Sequence, residues 1–473
     1  MAGILLLTPA CRKDDRTQGK TSAKAPELVL VSPADGAVNI KGTKLDVVLT
    51  FDVNVMCPTS QQSRIGIDNG ASIDKVNAYM KDVTVSLSGL KEECTYTLSF
   101  PEGTIKGYNE NVAEEIVVRF STAGPAGPVE QDIDRQLVTE NPIPNAARLY
   151  DFLLSVYGKK TISGAIANVA WNTDEADWIA KWTGKYPAMA VFDYIHLQSS
   201  PSNWIDYGDI SPVLKHFEKG GIIGACWHWN VPAKEGSSDY TCTPGDGSKN
   251  SDGNWTTTFS AARAMQEGTW ENTVVKADLE KIADYLLLLQ ERNIPVIWRP
   301  LHEAAGNTYT QWHSGAWFWW GRDGAESYVR LWRYMFDFFK DKGLRNLIWV
   351  WTTQTSSADD CDWDFYPGDE YVDIVGKDIY NNTDSRDISS QFRTVCGLSP
   401  RKMVALSENG GVADMAAQWA AGAKWLFFMP WYDYGNNYSK DYPHGHADIN
   451  WWNASYASSA VLSLEHIMPD LYE

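Results

Sequence analysis

Ile294-Pro295-Val296-Ile297-Trp298-Arg299-Pro300-Leu301-His302-Glu303 is a short apolar run that ends in a carboxylate. Its β-branched and aromatic residues predict a strand, with the acid delivered at its end. The arrangement returns in Met403-Val404-Ala405-Leu406-Ser407-Glu408-Asn409-Gly410, where a second apolar run leads to a second glutamate. Two glutamates at two strand ends are a candidate proton donor and nucleophile, the pair that cleavage of a glycosidic bond requires.

Working outward, strand-like and helix-like segments alternate from about residue 136 to the end. The strands are expected near Thr161–Asn168, Ala188–Tyr194, Gly221–Asn230, Pro295–Glu303, Asn346–Thr352, Val372–Tyr380, Met403–Glu408 and Lys424–Tyr432. Eight strand–helix units predict an α/β fold, a (β/α)8 TIM barrel with parallel strands and crossover helices. Leu279, Ile282, Ala283, Leu286 and Leu289 recur at helical spacing, as do Tyr328, Leu331, Trp332, Met335 and Phe339. Each stripe is read as the face of a helix packed on the outside of the barrel. Residues 234–253, rich in Ser, Gly and Asp, read as a long loop after the third strand. In a barrel of this kind the reactive groups stand at the C-terminal strand ends, so Glu303 on the fourth strand and Glu408 on the seventh face one another across the mouth.

The first part of the chain has a different texture. Short alternating runs at Lys44–Phe51, Val83–Leu87, Thr95–Phe100 and Ile116–Phe120, separated by turn residues, predict a small antiparallel all-β sandwich. The expected organisation is a signal remnant and tether over 1–25, a sandwich over 26–123, a Gly/Pro linker over 124–135 and the barrel over 136–473. Ser32-Pro33-Ala34-Asp35-Gly36 with Leu49-Thr50-Phe51-Asp52 resembles bacterial Ig-like domains, which are often spacers.

A formal charge of −19 repels phosphate backbones and speaks against a nucleic-acid partner, whereas a neutral polysaccharide is indifferent to it. The 22 tryptophans suit stacking on the C–H faces of sugars, although many large aromatics are simply core. Ile4-Leu5-Leu6-Leu7-Thr8-Pro9-Ala10-Cys11 looks like the end of a bacterial lipoprotein signal with Cys11 as the lipidated residue. Arg12-Lys13-Asp14-Asp15 resembles the charged export tag of surface lipoproteins. Together they imply a cell-surface or periplasm-facing lipoprotein anchored in a bacterial outer membrane. Beyond Cys11 lie Cys57, Cys94, Cys226, Cys242, Cys361 and Cys396, an even number whose connectivity stays open. There is no Cys-x-x-Cys spacing, and His444-Gly445-His446-Ala447-Asp448 lacks a second ligand cluster, so neither a metal nor another cofactor is expected.

Trp298-Arg299-Pro300-Leu301-His302-Glu303, Trp317-Phe318-Trp319-Trp320-Gly321 and Ser407-Glu408-Asn409 resemble glycoside hydrolase family 26, the family of β-mannanases, in order over roughly residues 140–470. The resemblance implies that Glu303 is the acid/base and Glu408 the nucleophile of a retaining double displacement. It implies that His228, in Cys226-Trp227-His228-Trp229-Asn230, and His302 shape the sugar subsite, and that Tyr380 donates to the nucleophile. Trp317 and Trp431 align with cleft tryptophans, although the loop over 304–316 is longer than the compact family form.

These readings imply an endo-β-1,4-mannanase acting on mannan, glucomannan or galactomannan, with a β-mannan polysaccharide or oligosaccharide as partner. A β-1,3-xylanase or mixed-linkage β-glucanase would use the same two carboxylates. A non-catalytic surface glycan-binding protein would have no need of both.

Overall fold

Eight strands, Thr161–Ile166, Met189–Asp193, Ile222–Trp227, Val296–Pro300, Leu347–Thr353, Ile374–Tyr380, Met403–Gly410 and Phe427–Pro430, pair in parallel in that order. The first strand pairs with both the second, Gly164 opposite Met189, and the eighth, Ile162 opposite Phe427, which closes the sheet into a (β/α)8 barrel. The computed structural model describes residues 24–92, 94–108, 110–123, 129–167, 170–306, 315–354, 362–432, 444–467 and 471–472. The chain divides into two compact units, Met1–Gly127 and Pro128–Glu473.

The barrel strands are buried along almost their whole length, as parallel strands covered on both faces must be. The helices Trp270–Glu291 and Ala325–Asp341 cover them through the expected stripes, and Leu279, Ile282, Leu286, Tyr328, Leu331, Trp332 and Met335 are wholly buried. The long segment after the third strand also holds a small hairpin, Val231–Pro232 against Tyr240–Thr241, whose second arm lies inside the stretch read as loop.

Five strands end earlier than their sequence patterns suggest, three of them beside candidate site residues. The fourth stops at Pro300 because Leu301 and Glu303 adopt φ of 48° and 53°, outside the strand region. The third stops at Trp227 and the eighth at Pro430, so His228 and Trp431 each stand one residue beyond a strand end. In the seventh strand Lys377 faces Leu406 while Asp378 faces Glu408, so Ser407 is an extra residue, a β-bulge. A strict alternation would send Ser407 and Glu408 to opposite faces. The bulge turns both toward the barrel interior, where Ser407 meets Asp378 of the adjoining sixth strand and Glu408 meets Arg299 of the fourth.

The first unit is an Ig-like sandwich of two four-stranded sheets. One runs Leu28–Ser32, Leu45–Phe51, Asp82–Ser88, Ser72–Tyr79; the other runs Ala37–Ile40, Ile116–Thr122, Thr95–Phe100, Gly66–Ile67. The pairing is antiparallel except between Ala37–Ile40 and Ile116–Thr122, which are parallel. Its core is the inward set Val47, Leu49, Phe51, Val83, Val85, Leu87, Tyr96, Leu98, Phe100, Val118 and Phe120. Ser72–Tyr79 escapes a reading by alternation because its register shifts between Ile73 and Lys75 and breaks the period. Cys57, Cys94, Cys226, Cys242 and Cys396 are free thiols, and Cys11 and Cys361 lie outside the described residues. No described helix is long and apolar enough to cross a membrane.

The inner wall leaves no room for a side chain at Gly376, where a Cβ would meet Ser407 Oγ at 2.2 Å and Thr352 Oγ1 at 2.7 Å. Gly376→Ala should therefore destabilise the fold by about 1–3 kcal/mol, the usual cost of overpacking a filled core. Equilibrium denaturation checks this, and an unchanged midpoint would show that the wall can yield.

Candidate active site

The barrel mouth is organised around Arg299, a buried cation on an otherwise apolar strand. Its Nη1 donates to Glu408 Oε2 at 3.0 Å, its Nε donates to Thr352 Oγ1 at 3.1 Å, and its Nη2 is ion-paired with Asp378. Burial works against the guanidinium charge, but Asp378 and Glu408 outweigh it and hold its pKa above the ordinary value. Ser407 Oγ donates to the second oxygen of Asp378 at 2.7 Å. Tyr380 Oη donates to Glu408 Oε1 at 2.5 Å, so both oxygens of Glu408 are held in fixed directions.

Glu303 completes the group. One oxygen from each of Glu303, Asp378 and Glu408 lies within 4.8 Å of the others, and Glu303 shares a hydrogen bond with Asp378. Burial, then the negative charges of Asp378 and Glu408, push the Glu303 carboxyl well above its usual range. Asp378 is pushed up to about 6, by burial first, with Arg299 pulling the other way. The two glutamates thus differ in environment, one with its carboxyl pushed up by burial and neighbouring charge and the other clamped by two donors.

A second layer faces this pair. His228 Nδ1 lies 2.7 Å from Asp193 Oδ2, and its backbone N–H donates to the other oxygen at 3.1 Å. Burial opposes charge on His228, but Asp193 overcomes it and raises the imidazole pKa. His302, 4.5 Å away ring to ring, is driven well below the ordinary value by burial, then by the charges of Arg299 and His228. Trp431 closes on His228 at 5.4 Å, and Phe318 sits edge-on to His302 at 5.0 Å. His446 lies edge-on to Tyr380 at 5.8 Å and packs on Gly410, where a Cβ would collide with both rings.

The structure therefore brings together Glu303, Glu408, Tyr380, His228, His302 and Trp431. Trp317 is half-buried and packed on Gly306, three residues beyond Glu303. Its neighbours Trp319 and Trp320 are buried, their indole N–H groups donating to the carbonyls of Trp229 and His302 at 2.8 Å, so they are packing and not cleft surface. Most of residues 304–316, the longer loop, falls outside the described residues. Reading the sequence for carboxylate pairs leaves Arg299, Asp378, Asp193 and Phe318 without roles. The signal for the three charged groups was present: each is an ionised residue in a run of buried apolar ones, a placement that demands a partner.

Among the described residues, two clusters carry metal-type donors, Glu303 with Asp378 and Glu408, and Asp193 with Cys226 and His228. In the first, Arg299 already neutralises two carboxylates; in the second, His228 takes both oxygens of Asp193. The donors are thus engaged with protein cations and hydrogen bonds. His444 is buried, stacks on Trp178 at 3.6 Å and lies 3.3 Å from Glu175, which gives it a packing role.

Residues 138–457, more than half of the chain, match the model of glycosyl hydrolase family 26. The chain belongs to that family. Residues 22–122 match a bacterial Ig-like domain. The GH26 domain of an endo-β-mannanase/endo-β-glucanase from Prevotella bryantii is 41% identical, with a TM-score of 0.62, over 71% of this chain and 99% of that one. A β-mannanase from a symbiotic protist of the termite Reticulitermes speratus, solved with a gluco-manno-oligosaccharide, is 34% identical with a TM-score of 0.59, over 72% of this chain and 100% of that one. Among curated relatives, a mannan endo-1,4-β-mannosidase of Thermothelomyces thermophilus is 33% identical over 73% of the chain. Another, from a Piromyces species, is 33% identical over 64%. The chain spans 66% and 49% of the lengths of these two relatives.

The raised pKa of Glu303 bears on stability. A carboxyl whose pKa is raised in the folded state contributes stability below its unfolded value, near 4.5, and loses it as pH rises through the folded value. Glu303→Gln keeps the neutral form at every pH. The melting temperature of the variant should match wild type near pH 4 and exceed it increasingly toward alkaline pH. A difference that does not grow with pH would mean that Glu303 is ionised in the fold without cost.

Proposed function

We propose that this family 26 chain is an endo-β-1,4-mannanase that cleaves mannan, glucomannan or galactomannan with retention of configuration. The observation that carries the mechanism is the closeness of the two carboxylates, whose nearest oxygens lie within 4.8 Å. Direct attack by a carboxylate needs a separation of about 5–5.5 Å between the groups, whereas an inverting base needs about 6.5–9.5 Å to admit a water. The substrate class is supported by the mannan endo-1,4-β-mannosidase activity of the relatives.

On this reading Glu408, fixed by Arg299 and Tyr380, attacks the anomeric carbon while Glu303 gives its proton to the departing glycosidic oxygen. The C–O bond breaks and a glycosyl ester forms on Glu408. Glu303, now a carboxylate, takes a proton from water; the water oxygen attacks the anomeric carbon, and Glu408 leaves. His228 and His302 contact the sugar bound at that carbon, and Trp431 and Trp317 supply apolar surface beside it. The Ig-like unit serves as a spacer. Its support is compositional: a sandwich preceded by Cys11 and the charged run Arg12–Asp15, which on this reading tether the enzyme to the outer membrane at the cell surface.

The division of labour is testable. Glu408→Ala should abolish turnover of every mannoside. Glu303→Ala should keep the first step on an aryl β-mannoside with a good leaving group and accumulate intermediate, and azide should then release a β-mannosyl azide. An α-configured azide product would overturn retention. Digestion of mannan beside β-1,3-xylan and mixed-linkage β-glucan tests the substrate class, and preferential release from either rival would replace it. For the tether, Cys11→Ala should move the protein from the membrane to the soluble fraction of the producing bacterium, and unchanged partition would remove the anchor.

A further inference from the structure

Trp204 is 57% exposed, and every other described tryptophan is buried or half-buried. It lies between the second barrel strand, which ends at Asp193, and the helix Ser211–Phe217. That places it on the face of the barrel where strands hand over to helices, the face that carries the carboxylate pair. Leaving a large indole in water forfeits the stabilisation that its burial would bring, so a structural role does not account for it.

The segment that presents it is firmly tied. Tyr207 Oη accepts from the His196 backbone N–H at 2.9 Å and donates to the Asp193 carbonyl at 3.1 Å. The Asn230 side-chain amide donates to the Ile195 carbonyl at 3.0 Å, joining this segment to the one that carries His228. Ser202 N–H donates to the Ile205 carbonyl at 2.8 Å, which closes the turn bearing Trp204. Beneath it, Tyr207 packs on Trp171 at 4.7 Å and on Tyr194 at 4.8 Å. The indole itself is braced by His196, ring to ring at 5.0 Å with planes 73° apart. The ring is thus held in place at one side while much of its surface stays open.

The distance to the site is set by the chain. Asp193, which holds His228, and His196 are three residues apart, at most about 10 Å between Cα atoms. Trp204 adds one ring contact to that span. A polysaccharide seated on His228 would reach the indole a few sugar rings along its length, and an apolar flat ring is the surface that the C–H face of a neutral hexopyranose fits.

We propose that Trp204, braced by His196, is a remote stacking platform for the same glycan chain whose cleavage is proposed above, engaged by long chains and out of reach of short ones. The inference rests on the mannanase reading. The test compares Trp204→Ala with wild type on unsubstituted mannohexaose and mannan, and on an aryl β-mannobioside. The ratio of kcat/KM on the long substrates to that on the short one should fall about five- to tenfold, the size of one lost ring contact. Trp204→Phe should restore most of the ratio. An unchanged ratio in an active enzyme would overturn the platform and leave the mannanase reading intact. A wild-type enzyme inactive on all three substrates would instead sink the mannanase reading itself.

Discussion

One guanidinium buried between two carboxylates is the constraint on which the barrel mouth depends. Glu303, Asp378 and Glu408 crowd within 4.8 Å, where two unit charges repel by roughly 3–4 kcal/mol at an effective dielectric constant of 20. A single cation cannot compensate three anions at once. Arg299 pairs with Asp378 and Glu408, and Glu303, outside those pairs, has its carboxyl pushed up by burial and by their negative charges. The different environments of Glu303 and Glu408 are thus a result of where one arginine points. A lysine could not reproduce it, since its ammonium lacks the planar fork that addresses Glu408, Asp378 and Thr352 from one strand position.

Holding that arginine requires departures from regular backbone. The bulge at Ser407 lets successive residues serve Asp378 and Arg299, and Gly376 opens the space into which Ser407 and Thr352 lean. On the facing side, Leu301 and Glu303 take left-handed φ values that few non-glycine residues adopt. Such geometry persists only where surrounding contacts over-determine it. Here Tyr328 Oη donates to the Leu301 carbonyl and Trp320 to that of His302, so the turn is gripped from below by buried aromatic donors. Strain and support come from adjacent elements of the same chain, which ties the geometry of the acid to the packing of the helix Ala325–Asp341.

What the sequence disclosed follows the same physics. The eight strands were legible because parallel strands covered on both faces are runs of apolar residues, and the helices because their stripes repeat at three and four. Strand ends were less legible: nothing in Leu301-His302-Glu303 marks two left-handed residues, and these alone stop the strand at Pro300. Glu303 and Glu408 could be picked out as strand-end acids, but Asp378 could not be given a role, because its importance lies in the distance to Arg299, 79 residues away in sequence. The strand Ser72–Tyr79 was hidden by a register shift, and the parallel pairing of Ala37–Ile40 with Ile116–Thr122 is a matter of topology that alternation does not encode.

The aromatic content resolves into two populations that composition alone cannot separate. Trp227, Trp229, Trp298, Trp319, Trp320, Trp332 and Trp351 are fully buried. Several form a continuous wall behind the site, with Trp227 stacked on Trp229 at 4.1 Å and Trp319 edge-on to Trp229 at 5.2 Å. Large rigid rings with few torsions lose little entropy when fixed, so such a wall holds the segments bearing His228 and His302 more firmly than aliphatic packing of equal volume would. The half-buried rings, Trp431 and Phe318, stand in front of it, Trp431 in contact with His228 and Phe318 with both histidines. The two carboxylates thus stand in a barrel mouth with stiffness behind the histidines and flat apolar surface before them, and aromatic side chains supply both.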